Sequence, residues 1–177
     1  MFEGIRAKTC CLSGHREIPS DELADVMWRV ELAVRELVER GVVYYGVGGA
    51  IGFDTECAKL LLRLRDTDFP HMRVILVYPF DGYMSRWSRG QREEAMGLLE
   101  RYDKVVRVAE RGSRGVYLQR NRKLVDGSSC CICYCTRRTG GTAYTVEYAE
   151  SRGLEVYNVA LPGAERLITI PFEKWWR

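Results

Sequence analysis

The stretch CCICYCTRRTGGT, residues 130–142, sets four cysteines within six residues and follows them with a Gly-Gly-Thr turn. It can be a metal site, a redox site, or a strand that runs into a phosphate-binding loop. Zinc needs ligands that converge tetrahedrally, as a rule in pairs from short turns. In an extended strand Cys131, Cys133 and Cys135 share one face, and Cys130, Ile132 and Tyr134 share the other. One strand cannot wrap three of its own residues round an ion. The only histidines are His15 and His71, and no second ligand cluster accompanies the cysteines. A buried thiol behaves as a small hydrophobe. The stretch is therefore expected to be a buried strand whose glycine turn opens a helix, with no metal. Cys10 and Cys11 take the same reading, with a reactive thiol there as the minor alternative.

Working outward, short apolar runs alternate with amphipathic helices. AKTCCLS (7–13), VVYYGV (42–47), RVILVYP (73–79), KVVRVA (104–109), SCCICYC (129–135) and EVYNVAL (155–161) read as strands. Pro19 and Ser20 are expected to open the first long helix, with Asp21 and Glu22 in its first turn, where acids suit the dipole. Its apolar face is Leu23, Val26, Met27, Val30, Val34, Leu37 and Val38, and Gly41 closes it. Further helices follow Asp54 as far as about Arg65, then over 87–101, over 115–126 and after Gly141. The tail LITIPFEKWWR is either an edge strand or a short helix; Trp175 and Trp176 there fit an exposed subunit contact or packing on the sheet edge. Strands alternating with helices imply an α/β, Rossmann-like, doubly wound and mostly parallel sheet with helices on both faces, in one domain over 1–177.

Composition narrows the class. The chain has 177 residues, 46% hydrophobic and 29% charged, with a net charge of +3. That balance is globular, and its charge is too weak to argue for nucleic acid. MFEGIRAKTC lacks the apolar run of a signal peptide, and no window is apolar enough for a membrane span. Seven cysteines without a secretion signal favour reduced thiols and a cytoplasmic setting.

In a doubly wound sheet, ligands bind beyond the carboxyl ends of the strands. The loops to inspect are SGHRE (13–17), GVGGAIGFD (46–54), PFDGYMSRW (79–87) and TRRTGGT (136–142). In the first, Ser13, Gly14, His15 and Arg16 are placed for ligand contact, although His15 is equally suited to a structural role. In the second, Gly48, Gly49 and Gly52 allow close backbone approach, and helix-start amides there suit a phosphate. Asp54 suits a cap or an acceptor for ribose hydroxyls. Gly140, Gly141 and Thr142 repeat the glycine turn at the last loop. Arg120, Asn121 and Arg122 lie in a basic run whose guanidinium groups suit phosphate. Trp87 either stacks on a base or covers the core.

Together SGHR, GGAIGFDTECA, PF followed by a tryptophan, RNRKLVD and GGTAYTVEYA resemble the YpsA-like branch of the SLOG superfamily, over roughly residues 8–160. The resemblance implies a Rossmann-like fold with a nucleotide-type pocket between two glycine loops. In that superfamily LOG enzymes cleave the N-glycosidic bond of nucleoside monophosphates, other members bind ADP-ribose-like signals, and DprA binds single-stranded DNA. Arg122-Lys123 matches the Arg-Lys pair of LOG enzymes, but Thr145 stands where their loop carries a catalytic glutamate. The leading expectation is a module that senses or sequesters a nucleotide or ADP-ribose-like ligand, with no further cofactor. The alternative is a nucleotide N-glycosidic hydrolase using Arg122 with Asp54 or Glu147. Behind these come an interaction protein with a vestigial pocket and, ranked last, a nucleic-acid binder. A homodimer or higher oligomer is expected from the superfamily.

Overall fold

The computed structural model describes residues 2–176. Its strands are β1 (Thr9–Gly14), β2 (Tyr44–Val47), β3 (Arg73–Tyr78), β4 (Lys104–Arg107), β5 (Cys130–Tyr134) and β6 (Glu155–Asn158). Its helices are α1 (Phe2–Arg6), α2 (Leu23–Glu39), α3 (Phe53–Thr67), α4 (Arg89–Leu99), α5 (Val116–Asp126) and α6 (Gly141–Ser151). The strands form one sheet in the order β4-β3-β2-β1-β5-β6, and every pairing is parallel. The expected α/β doubly wound fold is therefore present, and its sheet is wholly parallel.

The alternation in β5 builds both cores. Cys130, Ile132 and Tyr134 join Cys10 and Leu12 of β1 on the face covered by α2 and α3. Cys131, Cys133 and Cys135 join Cys11 on the opposite face, under Leu124 and Val125 of α5 and Ala143, Val146 and Ala149 of α6. All seven cysteines are buried and unpaired. Burial pushes the Cys133 thiol up, which keeps it protonated and inert. For Cys131 the hydrogen bond shared with Cys11 is the larger cause of the same upward shift.

Several local expectations are corrected. Helix α2 begins at Leu23, because the carbonyl of Pro19 accepts from Glu22 and Leu23 in a preceding turn. Asp21 and Glu22 therefore precede the helix instead of lying in its first turn. Helix α1 was not foreseen. Of the two readings of the tail LITIPFEKWWR, the short helix is found, as a 3-10 turn at Phe172–Lys174, with no strand among the described residues; another 3-10 turn, Ala164–Arg166, precedes it. Trp175 is buried at 9% exposure and packs edge-to-face on Phe172, so it is no open subunit contact.

The chain runs outward from β1 to β4 and then returns to place β5 beside β1. Successive connections diverge at that seam, which makes the carboxyl ends of β1 and β5 the topological switch point. The register Gly14↔Tyr134 brings the SGHRE and TRRTGGT loops side by side there.

Candidate functional site

A cleft of about 620 Å3 opens at the switch point. Its walls come from the loop after β1, the start of α3, one face of α5 and the start of α6. Of the residues singled out from sequence, Ser13, Gly14, His15, Arg16, Asp54, Arg120, Asn121, Gly140, Gly141 and Thr142 line it.

His15 clamps the seam. Its amide donates to the carbonyl of Tyr134 at 3.3 Å, and its own carbonyl accepts from Phe53 at 3.1 Å. Its Nε2 accepts from the Thr136 amide at 2.9 Å, which requires the neutral ring with the proton on Nδ1. Burial, and then the Arg137 charge, hold its pKa below the ordinary value, in agreement with that tautomer. The structural role open to His15 is thus filled, at the wall of the cleft.

The GVGGAIGFD loop spends several of its amides internally. Asp54 is buried, and its carboxylate accepts from the Ala50 amide at 3.2 Å and from the Gly48 amide. Phe53 donates to His15, as described. The carboxylate thus ties down the loop before α3 and does not cap the helix, whose first turn has no side-chain cap. Gly48, Gly49 and Gly52 lie behind the cleft wall and permit close packing. A side chain on Gly48 would strike Arg120 and Asp54, and one on Gly52 would strike the backbone of Arg16.

Arg120 is also buried, donating through Nη1 to the Gly48 carbonyl and through Nε to Asn121 Oδ1 at 2.7 Å. Asn121 donates onward to Thr145 Oγ1 at 2.8 Å, and that hydroxyl donates to the Gly141 carbonyl at 2.7 Å. A single hydrogen-bonded chain therefore ties the glycine loop after β2, through α5, to the start of α6. Burial lowers the Arg120 pKa and raises that of Asp54, and each charge partly offsets the shift of the other.

The start of α6 also lacks a side-chain cap, and its glycines, unlike Gly48 and Gly52, are open. Gly140 takes φ +99°, and a side chain at Gly140 or Gly141 would meet nothing within 4 Å. The first amides of a helix without a side-chain cap carry partial positive charge toward this end of the cleft. Arg16 and Arg137, both exposed, line the same cleft, as does Glu17.

Three expected site residues stand elsewhere. Arg122 lies on the outer surface, donating to the Tyr144 hydroxyl at 2.6 Å with its guanidinium 5.5 Å and 5.7 Å from the ring centroids of Tyr144 and Tyr148. Glu147 is exposed on α6 and outside the cleft. Trp87 lines a second cavity of about 700 Å3, which shares Arg16 and Tyr117 with the first. Sequence reasoning missed Tyr117, and it missed Asn158. Asn158 holds both backbone groups of Cys135, accepting from its amide at 3.1 Å and donating to its carbonyl at 2.8 Å. The available signal was a lone asparagine in an apolar strand.

No helix among the described residues is long and apolar enough to cross a membrane.

Comparison with known proteins places this geometry. In sequence, the chain is similar to a UPF0398 protein of Halalkalibacterium halodurans, 27% identical over 74% of this chain and 71% of the relative. A UPF0398 protein of Shouchella clausii is 24% identical over 69% of this chain and 66% of the relative. In structure, the chain is similar to DNA processing protein A of Helicobacter pylori, with a TM-score of 0.60 at 16% identity, covering 88% of this chain and 66% of that one. The same protein of Streptococcus pneumoniae also gives 0.60 at 16% identity, over 92% of this chain and 56% of that one. The chain thus spans about two thirds and just over half of those two structures, and the likeness is one of fold.

The Helicobacter protein is described as binding single-stranded DNA. That overturns the ranking of nucleic acid as the least expected partner. A net charge of +3 averages over the whole surface, whereas Arg16 and Arg137 stand exposed together at one cleft, beside Glu17. The model of the YspA SLOG family matches residues 21–161, and the chain belongs to that family.

Proposed function

We propose that the cleft holds a nucleotide-derived anion and that the protein binds this ligand without turning it over. The observation that carries the proposal is the start of α6. Open glycines and a helix end with no side-chain cap share the switch-point cleft with Arg16 and Arg137. Backbone amides at a helix N-terminus are a ready anion seat, and guanidinium groups add charge-assisted bonds. The glycine loop after β2 contributes shape: its Gly48, Ala50 and Phe53 amides are engaged by Asp54 and His15, and its glycines lie outside the cleft lining.

Binding is favoured over hydrolysis by where the acids stand. Glu147 is exposed on α6 and outside the cleft, and Thr145 on the same helix is committed to Asn121 and Gly141. Asp54 is committed to two amides beside Arg120, which leaves it poorly placed to move a proton. A second reading, a single strand of nucleic acid lying across the cleft, draws support from the fold it shares with DNA processing protein A.

The test is equilibrium binding of ADP-ribose, nucleoside monophosphates and a thymidylate strand, with the recovered ligand checked by chromatography. The ligand is expected to bind and return intact. Gly141→Val and Arg16→Ala should weaken binding at least tenfold, and Arg122→Ala should leave it unchanged. Undiminished binding in both cleft variants would remove the site. Release of a free base would replace binding with hydrolysis.

A further inference from the structure

The second cavity adjoins the proposed anion seat and has a different character. It is lined by two edge-to-face aromatic pairs. Tyr83 and Trp87 have centroids 5.3 Å apart at 84°, and Phe80 and Tyr117 have centroids 6.1 Å apart at 74°. Core packing does not account for these rings. Trp87 is only partly buried, and Tyr117 remains 39% exposed. Their placement is nevertheless defined. The Tyr83 hydroxyl donates to the Gly49 carbonyl at 3.2 Å, and Trp87 directly precedes the Ser88–Gln91 capping box that starts α4.

The charges sort the ligands this surface fits. Arg16 and Arg86 line it, and no carboxylate does among the described residues. An aromatic cage for a cation is therefore disfavoured, since two fixed cations would repel the guest. A planar base stacks on aromatic rings and on guanidinium planes alike. At about 700 Å3 the cavity lies within the range of small-molecule sites.

We infer that this second cavity seats a nucleobase, so that the ligand is a two-part molecule with a phosphate at the start of α6 and a base beside Trp87. Arg16, common to both cavities, lies along the sugar–phosphate link between them. The inference rests on the proposed anion seat and extends it to a ligand class. That chemistry is shared by a free dinucleotide-type molecule such as ADP-ribose and by a single strand.

Calorimetric titration with ribose 5-phosphate, AMP, ADP-ribose and an oligothymidylate strand tests it, in wild type and in Trp87→Leu and Trp87→Phe. Leucine keeps an apolar side chain without a π face, and phenylalanine keeps a ring. In wild type at least one base-bearing ligand should bind about tenfold or more tighter than ribose 5-phosphate, from the stacking of one base. Trp87→Leu should erase that gain and leave ribose 5-phosphate binding unchanged, while Trp87→Phe retains most of it. Loss of the gain with ADP-ribose points to a soluble ligand, and loss with thymidylate alone points to a strand; either result supports the cavity. If ribose 5-phosphate binds and a base adds nothing, or if the gain survives Trp87→Leu, the base site is refuted and the anion seat stands. If no phosphate binds, both fall.

Discussion

Gly52 is the position where the geometry makes its sharpest demand. Its backbone sits at φ +79° and ψ −125°, a conformation that side chains of L-residues strongly disfavour. Holding a non-glycine residue there costs about 1–3 kcal/mol. A Cβ would also lie 2.7 Å from the Arg16 Cα and closer still to its carbonyl, so the obstacle is backbone that cannot rotate away. Relieving the clash separates the loop after β1 from the start of α3. That endangers the Phe53 to His15 hydrogen bond, worth a further ~1 kcal/mol. Gly52→Ala should therefore destabilise the protein by about 3 kcal/mol or more. For a chain of this size that is a fall in Tm of roughly 6–12 °C. Gly141→Ala provides the control, because its Cβ meets open space and its φ lies outside the left-handed region. It should change stability by less than ~0.5 kcal/mol. Urea denaturation of the two variants measures both numbers. A Gly52→Ala protein within about 0.5 kcal/mol of wild type would refute the close approach between the two loops, and with it the cleft wall described here.

Three further outcomes follow from buried groups. His15 is held neutral, with a pKa below the ~6.5 of a free imidazole. Its contribution to stability is therefore complete above that value and is lost as pH falls through the folded pKa. Urea midpoints measured from pH 7.5 to 5 should decline in wild type and flatten in His15→Gln. Removing Arg120 takes a nearby cation from buried Asp54 and the donor from the Gly48 carbonyl, so Arg120→Ala should cost about 1–3 kcal/mol. Adding Asp54→Asn should recover part of that loss, and strict additivity in the double-mutant cycle would deny the coupling. All seven thiols are buried, so a native sample should react slowly with a thiol reagent and release seven equivalents in denaturant. Rapid native labelling of even one would contradict the packing of β1 and β5.

The fold was legible where the deciding signal is local. Alternation in a strand has period two whatever its partners, so the two faces of β5 could be assigned from residues 130–135 alone. The choice between Arg120 and Arg122 could not be made from the basic run in the same way. Two residues apart on a helix, they point to opposite sides, and which one enters the cleft depends on how α5 rolls onto the sheet. Val116, Arg120 and Leu124 form one stripe at four-residue spacing, with Arg120 held among buried neighbours. That stripe is present in the sequence, yet Arg120 and Arg122 both stood as site candidates, and only Arg122 matched a family motif. The glycine loop after β2 was ambiguous for a related reason. Glycine content permits an open cradle and a tight turn equally, and only the destination of the Asp54 carboxylate separates them. The last β-turn-α element escaped this ambiguity, because no acid follows its glycines until Glu147, a full turn beyond the helix start.

The charges at the cleft divide into two kinds, and the division bears on how a ligand would be held. Arg120 and Asp54 are desolvated, and burial moves both toward neutrality. Replacing such a pair by apolar groups commonly stabilises a protein, so stability does not explain their presence. Their hydrogen bonds instead fix the backbone of Gly48 and, through Asn121 and Thr145, the first turn of α6. Arg16 and Arg137 are exposed, and salt screens them. An anion approaching the cleft would be drawn by the exposed pair and seated on amides that the buried network holds in place. Capture should then weaken with ionic strength, while the geometry of the bound state should depend on residues that never touch the ligand. A hydrolase needs an acid free to exchange a proton at that seat. On α6, Thr145 is a fixed member of the network that shapes the seat, and Glu147 lies outside the cleft.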